Sequence, residues 1–211
     1  MNPDRTDYPY TVAAAPDYGL VNVTIPQGRT LRVEASAMAY MDSTLSMKTK
    51  MRGGFKRMLS GEKLFINEFT AADRSAEIGI APGTPGDVAH LYLENETVFL
   101  QNSSYLASSP DLDVAAEFQG FKGFFSGEKL FMVRCSGSGD LWFNTFGALL
   151  EIDVTDNYVV DTGHIVAFTD GLSYDVRSVA GLKSLFFSGE GLVCRFSGSG
   201  KVWIQTRKSM P

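Results

Sequence analysis

The triplet Ser-Gly-Glu occurs at positions 60, 126 and 188, and each time it stands in the same company. A Gly-apolar-Lys element precedes every copy: Gly54-Phe55-Lys56, Gly120-Phe121-Lys122 and Gly181-Leu182-Lys183. After the second and third copies the chain runs nearly in parallel, FFSGEKLFMVRCSGSGDLWFNT against FFSGEGLVCRFSGSGKVWIQT. Self-similarity at steps of 66 and then 62 residues is the mark of a body assembled from like units. It constrains the fold more tightly than any single motif in the chain.

Further upstream each unit carries two apolar segments around turn residues. These are Val23-Thr24-Ile25-Pro26-Gln27-Gly28 then Leu31-Arg32-Val33, Leu91-Tyr92-Leu93-Glu94-Asn95-Glu96 then Val98-Phe99-Leu100, and Ile152-Asp153-Val154-Thr155-Asp156-Asn157 then Tyr158-Val159-Val160. Alternating segments around turn residues predict hairpins. A strand ending near Ala39, Ala107 or Ala167 follows, then the Gly-apolar-Lys to Ser-Gly-Glu bend, then a last hairpin. In copies two and three its turns would be Ser136-Gly137-Ser138-Gly139 and Ser197-Gly198-Ser199-Gly200, leading into Leu141-Trp142-Phe143 and Val202-Trp203-Ile204. Copy one has Thr70 to Ser75 in that place and no tryptophan. The best helical candidate, Gly53 to Leu59, spans one or two turns.

A unit with one apolar face per hairpin cannot bury that face alone, so three units must share a core. The expected fold is all-β, with antiparallel sandwich-like sheets and pseudo-threefold internal symmetry. It forms a single domain of three meanders at about 18–83, 84–148 and 149–207. Pro82-Gly83-Thr84-Pro85-Gly86 reads as a loop between units.

The segment SGEGL with its S-G-x-G turn and [LV]-W-[FI]-x-T ending, after two weaker copies, resembles the altered-inheritance-of-mitochondria / mitochondrial biogenesis family from about Tyr18 to Arg207. The resemblance implies a fold like that of the tryptophan RNA-binding attenuation protein, with a tendency to ring-like oligomers. It implies no particular chemistry, since fold-level analogy is a weak guide to function.

A net charge of −5 and a sequence pI near 5.1 argue against attraction to nucleic acid or anionic lipid. The basic residues are scattered, the nearest cluster being Lys48, Lys50, Arg52, Lys56 and Arg57, read as a solvated face. The N-terminal stretch lacks an apolar core of signal-peptide length, so the expected location is cytoplasmic. Cys135 and Cys194 sit in apolar runs and are expected to be free, buried thiols.

Chemistry is sparse. The two histidines, His90 and His164, occupy non-equivalent places, and no metal-ligand spacing exists, so no cofactor is expected. The Gly-Ser-Gly turns lack the helix that a nucleophile elbow or a phosphate loop needs. The repeat-equivalent Glu62, Glu128 and Glu190 could converge on a cation, and Lys56, Lys122 and Lys183 on an anion or on those carboxylates. The plainer reading gives the glutamates to backbone N–H groups at the bends and the lysines to solvent. An enzyme would have to work with carboxylates such as Glu128 or Asp140 and no histidine help.

The expected function is a non-enzymatic scaffold or interaction protein acting as a homo-oligomer, a trimer by preference. Either the first repeat or the segment Tyr8 to Val12 would meet a neighbour. The alternative is a binder of a small molecule or, against the charge, of RNA.

Overall fold

The computed structural model describes residues 1, 4–52, 64–118, 131–178 and 192–208. The chain opens with β1 (Tyr10–Ala13), β2 (Leu20–Ile25), β3 (Thr30–Glu34) and β4 (Met38–Met41). In β2 the period-two pattern is plain: Val21, Val23 and Ile25 are buried and the residues between them half-buried. β5 (Ser46–Arg52), β6 (Leu64–Thr70) and β7 (Ala76–Ile80) complete the first third. The middle third holds β8 (Val88–Gln101), β9 (Tyr105–Ser108), β10 (Asp113–Phe118) and β11 (Phe131–Asn144). The last third holds β12 (Leu149–Val154), β13 (Asn157–Asp161), β14 (Ile165–Thr169), β15 (Leu172–Ser178), β16 (Leu192–Gly198) and β17 (Gly200–Gln205). Among the described residues helical geometry is confined to two 3₁₀ turns, Asn102–Ser104 and Thr162–His164.

The protein is all-β, as expected, and every ladder is antiparallel. A four-stranded sheet runs β1-β2-β7-β4, and a three-stranded sheet runs β13-β16-β15. The third sheet, of ten strands, runs β12-β17-β14-β8-β11-β9-β3-β6-β5, with β10 also on β11. Within each third the same partners recur. β2 pairs β7, the first half of β8 pairs the second half of β11, and β12 pairs β17. β3 pairs β6, the second half of β8 pairs the first half of β11, and β13 pairs β16.

The predicted hairpins are a different object. β2 and β3, on either side of Pro26-Gln27-Gly28, lie in different sheets, and so do β12 and β13. Around Asn95 there is no reversal at all, because β8 continues through it with Asn95 at φ 57° and a register shift at Gly137/Ser138 on β11. Ser136 to Gly139 lies inside β11, and the like stretch from Ser197 carries the chain from β16 to β17, again between sheets. Residues that tolerate positive φ let a strand bulge and bend from one sheet into the next as readily as they let it reverse.

Gly137 and Gly198 take φ of 121° and 108°. Two residues on, a side chain at Gly139 or Gly200 would overlap Ser109 Oγ or Thr169 Oγ1. Those hydroxyls accept the N–H groups of Asp140 and Lys201, each at 3.0 Å, and so fix both corners. The loop at Pro82 to Gly86 is knitted in from both sides: Gly19 N–H donates to Gly86 O at 2.8 Å and Gly147 N–H to Pro85 O at 3.0 Å.

Three apolar clusters fill the spaces between sheets. The first gathers Val21, Val23, Leu31, Val33, Phe69 and Ile78 with Ala107 and Trp142 from the middle third. The second gathers Leu93, Val98, Leu100, Val133 and Phe143 with Ala167 and Trp203 from the last third. The third holds Val160, Phe168, Cys194, Phe196 and Val202.

Candidate functional site

The Ser-Gly-Glu bends and their Gly-apolar-Lys elements, and with them Glu62, Glu128, Glu190, Lys56, Lys122 and Lys183, lie outside the described residues, as does Gly53 to Leu59. Among the described residues no three His, Cys, Asp or Glu side chains gather to hold a metal, and no helix is long and apolar enough to cross a membrane.

What the strands bring together is a cross-sheet row in each third. Opposite residues of antiparallel strands share a face, so His90, Trp142 and Ala107 sit side by side, as do Glu151, Trp203 and Ala167. The corresponding row of the first third is Asn22, Gly79 and Tyr40, where the tryptophan is missing and the alanine has become a tyrosine. Its ring covers Gly79, whose Cβ would overlap it, and its hydroxyl donates to Asn22 Oδ1. β4, β9 and β14 carry the same bulge, between Met38 and Tyr40, Tyr105 and Ala107, and Ile165 and Ala167, and this common register makes Tyr40, not Ala39, the counterpart of Ala107. Both tryptophans are buried, and Trp203 Nε1–H donates to Glu151 Oε2 at 2.9 Å.

The middle row anchors a polar cluster that spacing alone did not reveal. His90 Nε2 lies 2.8 Å from Asp140 Oδ1, so the carboxylate expected to lack a histidine has one. Asp140 is wholly buried, and its Oδ2 accepts the Asp7 N–H at 3.1 Å. The neighbouring Tyr8 is buried too: its hydroxyl donates to Thr30 O at 2.6 Å, and its ring meets Trp142 edge-on at 6.3 Å. Tyr10 packs on His90 at 4.8 Å, and burial, aided by the Asp140 charge, raises its phenol above the usual value. Arg29 bonds Asp7 at 3.2 Å.

The segment expected to reach a neighbouring subunit is thus strapped onto its own chain. With side chains 2% and 0% exposed, His90 and Asp140 are closed off from solvent, and they touch that strap through the Tyr10 ring and the Asp7 N–H. His164 has another partner, its Nδ1–H donating to Gln205 O at 2.6 Å. Cys135 and Cys194 are free and buried; burial pushes Cys135 well up and Cys194 to about 12, so neither is a ready thiolate.

The surface offers more than the interior. β4 and β13 are the outermost strands of their sheets on one side. Each presents large apolar side chains to solvent: Tyr40 is 46% and Met41 37% exposed on β4, and Tyr158 is 42% and Val159 56% exposed on β13. β9, and β14 as far as Phe168, the strands that pair as β4 does within their thirds, have their residues buried.

Comparison with known proteins bears on the whole of this body. A family model described as mitochondrial biogenesis AIM24 matches residues 10–207. An uncharacterized protein of Streptococcus pyogenes serotype M6 is 27% identical over an alignment that covers 93% of this chain and 85% of the relative. A crystal structure of a Streptococcus pyogenes protein, solved as a structural genomics target, superposes with a TM-score of 0.81 at 26% identity over 95% of this chain and 94% of that one.

Proposed function

The chain belongs to the mitochondrial biogenesis AIM24 family, and from that premise we propose that it works through its surfaces, as a non-enzymatic scaffold or interaction protein that assembles with copies of itself. The observation that carries this reading is two of the sheets' end strands, β4 and β13, which present large apolar side chains beside an unpaired edge. β4 (MAYM) has neither charge nor proline, and β13 (NYVVD) has a single acid at its end. A soluble protein blunts such an edge or uses it, and these are not blunted. The one carboxylate–histidine pair among the described residues is sealed from solvent, and the net charge of −5 speaks against a nucleic-acid partner.

We further read the molecule as a single domain of three like units, each joined to the next. The recurrence of partners in each third supports this, as does the loan of Trp142 to the first cluster and of Trp203 to the second. Light scattering at micromolar concentration tests the functional reading. A mass that is a multiple of 23.0 kDa is expected, three copies being the sequence-based number, and a single-chain mass throughout would overturn it. A ligand carried through native mass spectrometry of protein from its own host would instead favour a small-molecule binder.

A further inference from the structure

Two strand joints run between thirds, and they share one register. β9 lies on β3 with Ala107 opposite Val33 and Ser108 opposite Arg32. β14 lies on β8 with Ala167 opposite Leu100 and Phe168 opposite Phe99. The joining strands correspond: Ala107 and Ala167 are each partnered on their other side by a tryptophan, Trp142 and Trp203.

The same rule identifies the strands left over. In the first third the joining strand is β4, because Tyr40 lies opposite Gly79 as Ala107 lies opposite Trp142. In the last third the receiving strand is β13, because Val160 lies opposite Cys194 as Leu100 lies opposite Val133, both partners standing three residues before a Ser-Gly-Ser-Gly stretch. Neither β4 nor β13 has a strand on its outer side among the described residues.

Resting on the homo-oligomer reading, we propose that β4 of one copy pairs antiparallel with β13 of a second copy. The register is that of the internal joints, Tyr40 opposite Val160 and Met41 opposite Val159. Apolar character is matched on both sides. Phe99 and Phe168 stack with ring centroids 5.2 Å apart in the internal joint, and Val159 and Met41 take those places in the external one. The pairing removes Tyr40, Met41, Tyr158 and Val159 from water together and gives both open ladders their missing hydrogen bonds. Because the two surfaces differ, the joint is head-to-tail and closes into a ring where its rotation allows.

The test uses two variants of the full chain that each add one cysteine, Met41→Cys and Val159→Cys, co-expressed and treated with a mild oxidant. Opposite residues of antiparallel strands lie within disulfide reach, and the native cysteines are buried. A disulfide-linked species of twice the 23.0 kDa chain mass is expected from the mixture and from neither variant alone. If the doubly substituted chain links within itself, β13 meets β4 of its own molecule and the proposal falls.

Absence of the cross-link while light scattering of the wild type reports an oligomer also overturns this joint, yet leaves the homo-oligomer reading standing. A monomeric wild type overturns both. As an independent arm, Val159→Lys, at an exposed position, is expected to lower the assembly to a single chain with an unchanged far-UV spectrum. An unaltered assembly mass would overturn the joint.

Discussion

Trp142, Trp203 and Tyr40 show one packing problem solved in two ways. Where the centre of a row is tryptophan its neighbour on the joining strand is alanine, and where the centre is Gly79 the neighbour is tyrosine, so bulk is traded between two strands. The sequence made both tryptophans legible as core residues, since each stands among apolar residues in a strand-like run. Gly79 was not legible, because a glycine between Ile78 and Ile80 gives no hint that a ring from another strand lies over it.

Trp142→Ala and Trp203→Ala are each expected to cost about 3 to 5 kcal/mol in urea unfolding; a neutral result would place that ring outside the core. Gly79→Ala should dislodge the Tyr40 ring and its bond to Asn22, an effect that vanishes in a Tyr40→Ala background. The double-mutant cycle should therefore show a coupling of about 0.5 to 3 kcal/mol, and additivity would mean that the ring does not rest on Gly79.

Among the elements, strand character was readable nearly everywhere and strand connection was not. Asn95, Gly137 and Gly198 read as turn residues of hairpins; the structure gives all three positive φ but no hairpin. Turn chemistry reports what a backbone must do over two or three residues. Whether the chain then reverses or passes into another sheet depends on partners some 40 residues away, such as Ser138 for Asn95, whose N–H and side chain bond that serine at 3.0 and 3.1 Å.

The strap from Asp7 to Tyr10 was illegible for the same reason, since its anchor Asp140 lies 133 residues from Asp7. At the first Ser-Gly-Ser-Gly corner, within β11, Gly139→Ala should cost about 1 to 3 kcal/mol through its φ of 148° and its overlap with Ser109. Thermal unfolding measures this, and an unchanged midpoint would show that the corner yields.

Taken whole, the molecule is a series in which each part borrows from the next. The first cluster is incomplete without Leu106, Ala107 and Trp142, and the second without Ala167 and Trp203. A fragment of residues 1–83 should therefore stay unfolded by far-UV spectrum and amide dispersion, and a cooperatively melting fragment would show the unit to be self-sufficient. The borrowing has a consequence for a chain made from one end. On a ribosome adding about 5 to 20 residues per second, the first cluster waits several seconds for a side chain some 60 residues behind it, and the second waits as long again. Folding is thus paced by translation, each segment held open until its successor emerges.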